Sequence, residues 1–292
     1  MSGEDTLVVL VNYKTQSEIK QLISGPLDDL PVDVVIVDNF TDSGLRTWAV
    51  ENGVKYIDSG GNVGYSRGNN QGIEYGIGDY EYFFVLNPDT KIIDEDVFSE
   101  LTKAIRENPE TGIVSPSIID QHGVRYTLPS KPEKALRKMG VLPELPKDSE
   151  HLKQVDHVPG SAMMISKDVI EEIGYLDESF FLYVEDTEYC YRARQAGIGV
   201  ATHIDTEVLH YSSESGQKFE KDYQIYYRSR NRYLLARERF DIPGSLIYSA
   251  VITSLLVRDV VNIVSNSEFD LIKPLILGVF DGITNQSGRT RY

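Results

Sequence analysis

Residues 7–14 read LVVLVNYK, an unbroken apolar run that ends in an asparagine, a tyrosine and a lysine. Such a run predicts a strand covered on both faces, as in a parallel sheet with crossover helices. Three similar runs follow, VDVVIV at 32–37, VKYI at 54–57 and YFFVL at 82–86. The stretches between them, 17–23, 43–52 and 66–75, suit the crossover helices. The N-terminal part is therefore a βαβ series, the nucleotide-binding type of α/β architecture. Ligands in such sheets lie beyond the carboxyl ends of the strands. The residues there are Asn12-Tyr13, Asp38-Asn39, Gly60-Gly61-Asn62 and Asn87-Pro88-Asp89, small, polar or acidic and without an obvious packing role.

After about residue 94 the pattern changes. A helix is expected over 95–107, strands over 112–119 and 155–166, and helices over 167–173 and 185–196. Residues 120–154 are polar and, with Pro116 close by, proline-rich (Pro129, Pro132, Pro143, Pro146), which predicts a loop or mobile flap. Beyond Lys218 the chain turns helical, with amphipathic helices over 245–264 and 269–285. Ile272, Leu275, Ile276, Val279, Phe280 and Ile283 fall at helical spacing on one face. The expected organisation is 1–89 as a nucleotide-binding half, 90–217 as an acceptor half and 218–292 as a helical extension.

The chain has 292 residues, enough for a substantial core without a metal or disulfide staple. Its formal charge of −16 repels phosphate backbones and disfavours nucleic-acid binding. A single cysteine, Cys190, rules out an internal disulfide framework and fits a reducing compartment. Residues 1–6 are polar and unlike a signal peptide. The longest apolar stretch, Leu246–Val257, stops at Arg258-Asp259, short of the roughly 20 residues a membrane helix needs. A cytoplasmic location follows as the expectation.

Three motifs carry chemistry. NVGYSRGNNQG at 62–72 follows a strand and opens a helix, where glycines and helix-terminal amides let backbone approach phosphate or ribose oxygens. It is neither GxGxxG nor a P-loop, so dehydrogenases and ATPases are disfavoured. Asn87-Pro88-Asp89 offers an amide and a carboxylate as oxygen ligands for a hard cation gripping a diphosphate, although the same residues make a good turn. GYLDESFFLYVEDTEYCYR at 174–192 sets carboxylates among aromatics. A carboxylate against apolar surface can serve as a general base; a helix start alone would account for one or two of these acids. His210, after a short strand at 207–209, matters only if it lies beside the acidic site.

In this order, VNYK at 11–14, VDN at 37–39, NVGYSRGNNQG, LNPD at 86–89 and the aromatic–acidic stretch resemble the family-2 glycosyltransferases, rhamnosyltransferase-like branch, over roughly residues 6–240. The resemblance implies a GT-A fold, a Rossmann-like half with a mixed central sheet. It also implies an inverting transfer from a nucleotide-diphosphate sugar, rhamnose from dTDP or another hexose, to a glycan or lipid-linked acceptor. It places Asn12, Tyr13 and Asp38 at the nucleobase and ribose, and Asn62, Gly64 and Asn69 in the nucleotide-sugar loop. Asp89 matches the metal position of the family's DxD motif, with Asn87 in place of the first aspartate. His210 matches a histidine that completes the metal or diphosphate site in some relatives. Mg2+ or Mn2+ is the implied cofactor, and Asp186 matches the catalytic base.

On this basis Arg67 joins the cation side against the leaving diphosphate, while Glu185 and Glu178 orient the base or bind sugar hydroxyls. Residues 218–240 carry a local excess of four positive charges. They are either a solvated helix paired with acids elsewhere or, with Arg228 and Arg230, a docking surface for an anionic lipid-linked acceptor at the inner membrane face. Core packing or a homodimer would equally explain the amphipathic helices. A sugar nucleotidyltransferase would share the α/β half but carry a glycine-rich basic loop after the first strand, where Asn12-Tyr13-Lys14-Thr15 stands. A non-catalytic carbohydrate- or partner-binding protein is the remaining alternative.

Overall fold

β1 (Thr6–Asn12) is buried at every position, as its apolar run requires. It pairs in parallel with β2 (Asp33–Asp38) and β4 (Tyr82–Leu86), and β2 pairs in parallel with β3 (Lys55–Asp58). The connections are α1 (Gln16–Ile23), α2 (Ser43–Glu51) and α3 (Tyr65–Gly76). α2 begins where Asp42 caps it, its carboxylate accepting from the Leu45 amide at 2.9 Å. The computed structural model describes residues 5–120, 137–138, 142, 144–210, 217–239 and 242–290.

The second half extends the same sheet. β5 (Thr90–Ile92), α4 (Val97–Glu107), β6 (Thr111–Asp120), β7 (Leu152–Gln154), β8 (Ala162–Ser166), α5 (Lys167–Ile173), α6 (Glu185–Gln195) and β9 (Gly199–His210) follow in order. The strand order is β3-β2-β1-β4-β8-β6-β9-β5, with β7 on β9. β8 runs antiparallel between β4 and β6, and β6 pairs in parallel with β9, so the sheet is mixed. Val8 and Leu10 of β1 pack with Ile19, Leu45, Phe84 and Phe98 on one face. Leu7 and Val9 pack with Ile73, Phe83, Val169 and Tyr189 on the other. The period-two alternation of β1 thus feeds two cores, each buried Val, Leu or Phe contributing about 1.5–3 kcal/mol.

Three sequence expectations change. The strand expected over 155–166 forms only over its last five residues, as β8; residues 155–161 are irregular. Pro159 cannot donate to a ladder there, and Asp156 is drawn to Arg194 at 2.5 Å. The strand expected at 207–209 is the end of β9, whose polar Thr202, His203, Asp205 and Thr206 mask its length. β5 was not foreseen at all, being three residues after a turn. Most of the expected flap, residues 121–136, 139–141 and 143, lies outside the described residues, and Leu152–Gln154 within its span is β7.

Beyond the sheet lie α7 (Gln217–Arg239), α8 (Ile242–Ser265), a 3-10 turn (Phe269–Leu271) and α9 (Ile272–Ile283). Arg258-Asp259 does not stop α8. The pair is locally neutralised, with Asp259 3.2 Å from Arg232 and 3.6 Å from Arg258, and neither residue breaks a helix. The window Tyr248–Ser265 is therefore long and apolar enough to cross a membrane, by length and composition. α9 also departs from its expected face. It docks on α7 through Gly278 and Gly282, where an added Cβ would collide with the backbone carbonyls of Tyr226 and Arg230. Leu275 is buried beside these glycines, while Ile276, Phe280 and Ile283 are about 60% exposed.

Candidate active site

The register of β1 and β2 sets Asn12 opposite Asp38, and both side chains are buried. Asn12 Nδ2 donates to Asp38 Oδ1 at 2.8 Å, and Asn12 Oδ1 accepts from the Thr15 amide at 2.9 Å. Asp38 Oδ1 also accepts from the Phe40 amide at 2.8 Å; Oδ2 accepts from the Asp42 amide at 2.7 Å and the Tyr56 hydroxyl at 2.6 Å. Burial raises the Asp38 pKa, but these hydrogen bonds outweigh it and leave the carboxyl below its ordinary value. Asn12 and Asp38 thus shape the ends of two strands. What they hold outward is an aromatic pair, Tyr13 edge-on to Phe40 with ring centroids 6.0 Å apart, both rings nearly half exposed. Phe40 escaped the sequence reading because it follows the polar Asp38-Asn39 and carries no motif signal.

The glycine-rich loop is anchored to the aromatic–acidic stretch. Gly64 sits at φ +92° against the Phe181 ring, where any Cβ would clash. The Tyr65 amide donates to the Phe181 carbonyl at 2.8 Å, Ser66 Oγ to the Phe180 carbonyl at 2.6 Å, and the Asn39 amide group to the Gly64 carbonyl at 2.8 Å. Asn62 Oδ1 accepts from the Gly64 amide at 3.2 Å. Asn69 Nδ2 donates to the Tyr65 carbonyl at 2.9 Å, leaving its Oδ1 buried and unpartnered.

Asp89 and His210 meet across β5 and β9, with Oδ1 3.3 Å from Nε2. Both atoms are buried, and the approach is not a hydrogen bond. One oxygen and one nitrogen left facing each other fit two positions of a divalent cation's shell, the rest coming from donor phosphates and water. Among the described residues no third His, Cys, Asp or Glu joins them.

The acidic pair opens α6. Asp186 Oδ2 accepts from the Gly160 amide at 3.0 Å, and Oδ1 from the Thr187 amide at 2.6 Å. Glu185 is 6% exposed with Oε2 unpartnered; burial, then the charge of Asp186, push its pKa well above the ordinary carboxylate range. Tyr65 joins this end to the other. Its hydroxyl lies 2.6 Å from the Gly160 carbonyl and 2.9 Å from Asn87 Oδ1. Burial and the charges of Glu185 and Asp186 keep that phenol protonated, hence a donor. Close polar contacts therefore link Asp186 through Gly160 and Tyr65 to Asn87, two residues before Asp89, with the single phenol proton shared between two acceptors. Tyr65 was missed as a site residue; its position at the first turn of α3 marks the loop but not the long-range partners.

The family model for glycosyl transferase family 2 matches residues 7–174, more than half of the chain. The chain belongs to glycosyl transferase family 2. It is 39% identical over 294 residues to the low-salt glycan biosynthesis hexosyltransferase Agl10 of Haloferax volcanii, covering 98% of this chain and 93% of that protein. It is 26% identical to the dTDP-rhamnosyl transferase RfbF of Shigella flexneri over 97% of both chains. The crystal structure of GalNAc-T7 with UDP, GalNAc and Mn2+ shares the fold, with a TM-score of 0.54 at 15% identity over 79% of this chain and 47% of that one. The protein is thus a glycosyltransferase with a GT-A fold, and the nucleotidyltransferase and non-catalytic readings fall away.

The other expected site residues of this glycosyltransferase are placed differently. Arg67 Nη1 lies between Glu74 at 2.9 Å and Glu178 at 3.1 Å, so its charge is committed to carboxylates rather than free for a diphosphate. Glu178 also accepts from Asn70 at 3.0 Å and holds the turn before the acidic stretch. Arg228 is exposed, but Arg230 is fully buried and cannot touch an acceptor. Its guanidinium donates to the Gly288 carbonyl at 2.6 Å and lies 4.7 Å from the centre of the Tyr227 ring.

Proposed function

We propose that the enzyme transfers a hexose or 6-deoxyhexose, rhamnose first among them, from a nucleoside-diphosphate donor to a glycan hydroxyl with inversion. The observation that carries this reading is the run of close polar contacts from Asp186 through Tyr65 to Asn87, which joins an acidic helix start to the Asp89–His210 pair. The naming of two relatives as a hexosyltransferase and a dTDP-rhamnosyl transferase supports the sugar class.

In this reading Tyr13 and Phe40 flank the nucleobase, and the backbone of Asn62–Gly64 meets the ribose and diphosphate. Asp89 and His210 would hold Mg2+ or Mn2+, which supplies positive charge against the diphosphate. Asp186 takes the acceptor's hydroxyl proton. The acceptor oxygen then bonds to the anomeric carbon from the side opposite the diphosphate, and the breaking C–O bond leaves its electron pair on the nucleoside diphosphate. Glu185, beside the base, has its pKa raised by burial. The test is turnover of Asp186→Asn with dTDP-rhamnose and other nucleotide sugars. A fall of roughly 100- to 10,000-fold is expected, together with an inverted anomer from the parent enzyme; near-normal turnover removes Asp186 from the mechanism.

The acceptor is proposed to be lipid-linked and met at the cytoplasmic face of a membrane. Val257, Val260, Val261 and Val264 on α8, with Ile276 and Phe280 on α9, all stand exposed. They suit shallow insertion into a bilayer interface.

A further inference from the structure

We propose that Asn231, on α7, is a positioning residue for the Glu185–Asp186 pair, set by the buried Arg230 beside it. The inference rests on the reading of Asp186 as the base. The two residues before that pair, Tyr183 at φ +65° and Val184 at φ +74°, are both left-handed without being glycine. For a β-branched valine this conformation is strained and persists only where the surroundings impose it. The imposition is visible. Asn231 Nδ2 donates to the Leu182 carbonyl at 2.9 Å and to the Tyr183 carbonyl at 2.6 Å. Those carbonyls belong to the two peptide planes whose rotation sets φ at Tyr183 and at Val184. One amide group therefore pins both unfavourable torsions.

The amide is itself fixed. Arg230 Nε donates to Asn231 Oδ1 at 2.8 Å, which turns Nδ2 toward the carbonyls. Neither Arg230 nor Asn231 is exposed at all. From the opposite side, the Tyr65 amide and Ser66 Oγ hold the carbonyls of Phe181 and Phe180. The segment 180–184 is thus clamped between the donor loop and α7, and the left-handed pair turns the chain directly into α6. Relaxing that pair would swing Glu185 and Asp186 away from Gly160.

The test is a double-mutant cycle between Asn231→Leu and Val184→Gly in the full-length enzyme. Glycine adopts φ above zero without strain, so Val184→Gly removes the strain at the β-branched residue, the more unfavourable of the two pinned torsions. In the parent background Asn231→Leu is expected to lower kcat at least 30-fold, with donor KM and nucleotide-diphosphate affinity within two-fold. In the Val184→Gly background the same substitution is expected to lower kcat less than three-fold. An equal loss in both backgrounds, or a loss in donor affinity rather than kcat, overturns the proposal. Where Asn231→Leu does not fold, Asn231→Ser, too short to reach both carbonyls, is measured in the same cycle with the same expectations. Near-normal turnover in Asp186→Asn would sink the base reading itself. An inactive Asp186→Asn beside a fully active Asn231→Leu would sink only the positioning role.

Discussion

Glu185 has 6% of its surface exposed and one carboxylate oxygen with no partner, beside an Asp186 whose two oxygens both accept hydrogen bonds. Its raised pKa makes folding favour the protonated form. The stability this contributes is full below the unfolded value near 4.5 and is lost as pH rises toward the folded value. Glu185→Gln should therefore match the parent's melting temperature in acid and exceed it by a growing margin as pH rises; a constant difference would show that Glu185 does not titrate in the fold. Asp38 behaves oppositely. Its lowered pKa means the stability from its four hydrogen bonds is present above the unfolded value and lost as pH falls through the folded one. Asp38→Ala leaves buried donors without acceptors, and a loss of roughly 3 kcal/mol or more in urea unfolding is expected. Among residues of the candidate site, the sequence singles out those with a local chemical signature: Asp89, Asp186 and the glycines of the 62–72 loop. Tyr65, Phe40 and Asn231 carry no such signature, because their side chains meet partners 22 to 95 positions away or owe their place to a neighbouring ring.

At the scale of elements, the continuous apolar runs yielded β1 to β4, and β4 at its observed bounds. β9 was underestimated because half its residues are polar where it is flanked by β7 and β6. The helical extension shows a different limit. Periodicity marks which residues of α9 are apolar, but the docking face was chosen by size: Gly278 and Gly282 let two backbones touch, so the larger side chains stayed outside. Gly282→Leu should therefore undock α9 and lower the urea midpoint, whereas Ile276→Ser, on the exposed side, should change it little. Equal effects would mean the helix docks through its larger residues.

The molecule as a whole carries −16, and several arginines of its most basic segment are buried or paired with acids. Arg230 is buried, Arg232 pairs with Asp259 at 3.2 Å, and Arg239 reaches Glu188 at 2.6 Å. These contacts tie α7 to α8 through Arg232 and to α6 through Arg239. The proposed membrane contact rests on apolar residues, and Val257→Glu with Val264→Glu should reduce flotation with liposomes while leaving transfer to a soluble acceptor intact; unchanged flotation would remove α8 from the membrane face. One sheet brings the ends of β1, β2, β4 and β9 to the same region, and α6 sets the proposed base, Asp186, beside it. On the proposed mechanism Asp89 and Asp186 serve two ends of one cleft. Calorimetric titration of the donor nucleotide into Asp89→Ala and Asp186→Asn, with and without Mn2+, tests it most directly. The account predicts weakened, Mn2+-insensitive binding in Asp89→Ala and parent-like, Mn2+-responsive binding in a catalytically dead Asp186→Asn. Parent-like donor binding in Asp89→Ala, or lost binding in Asp186→Asn, would contradict it.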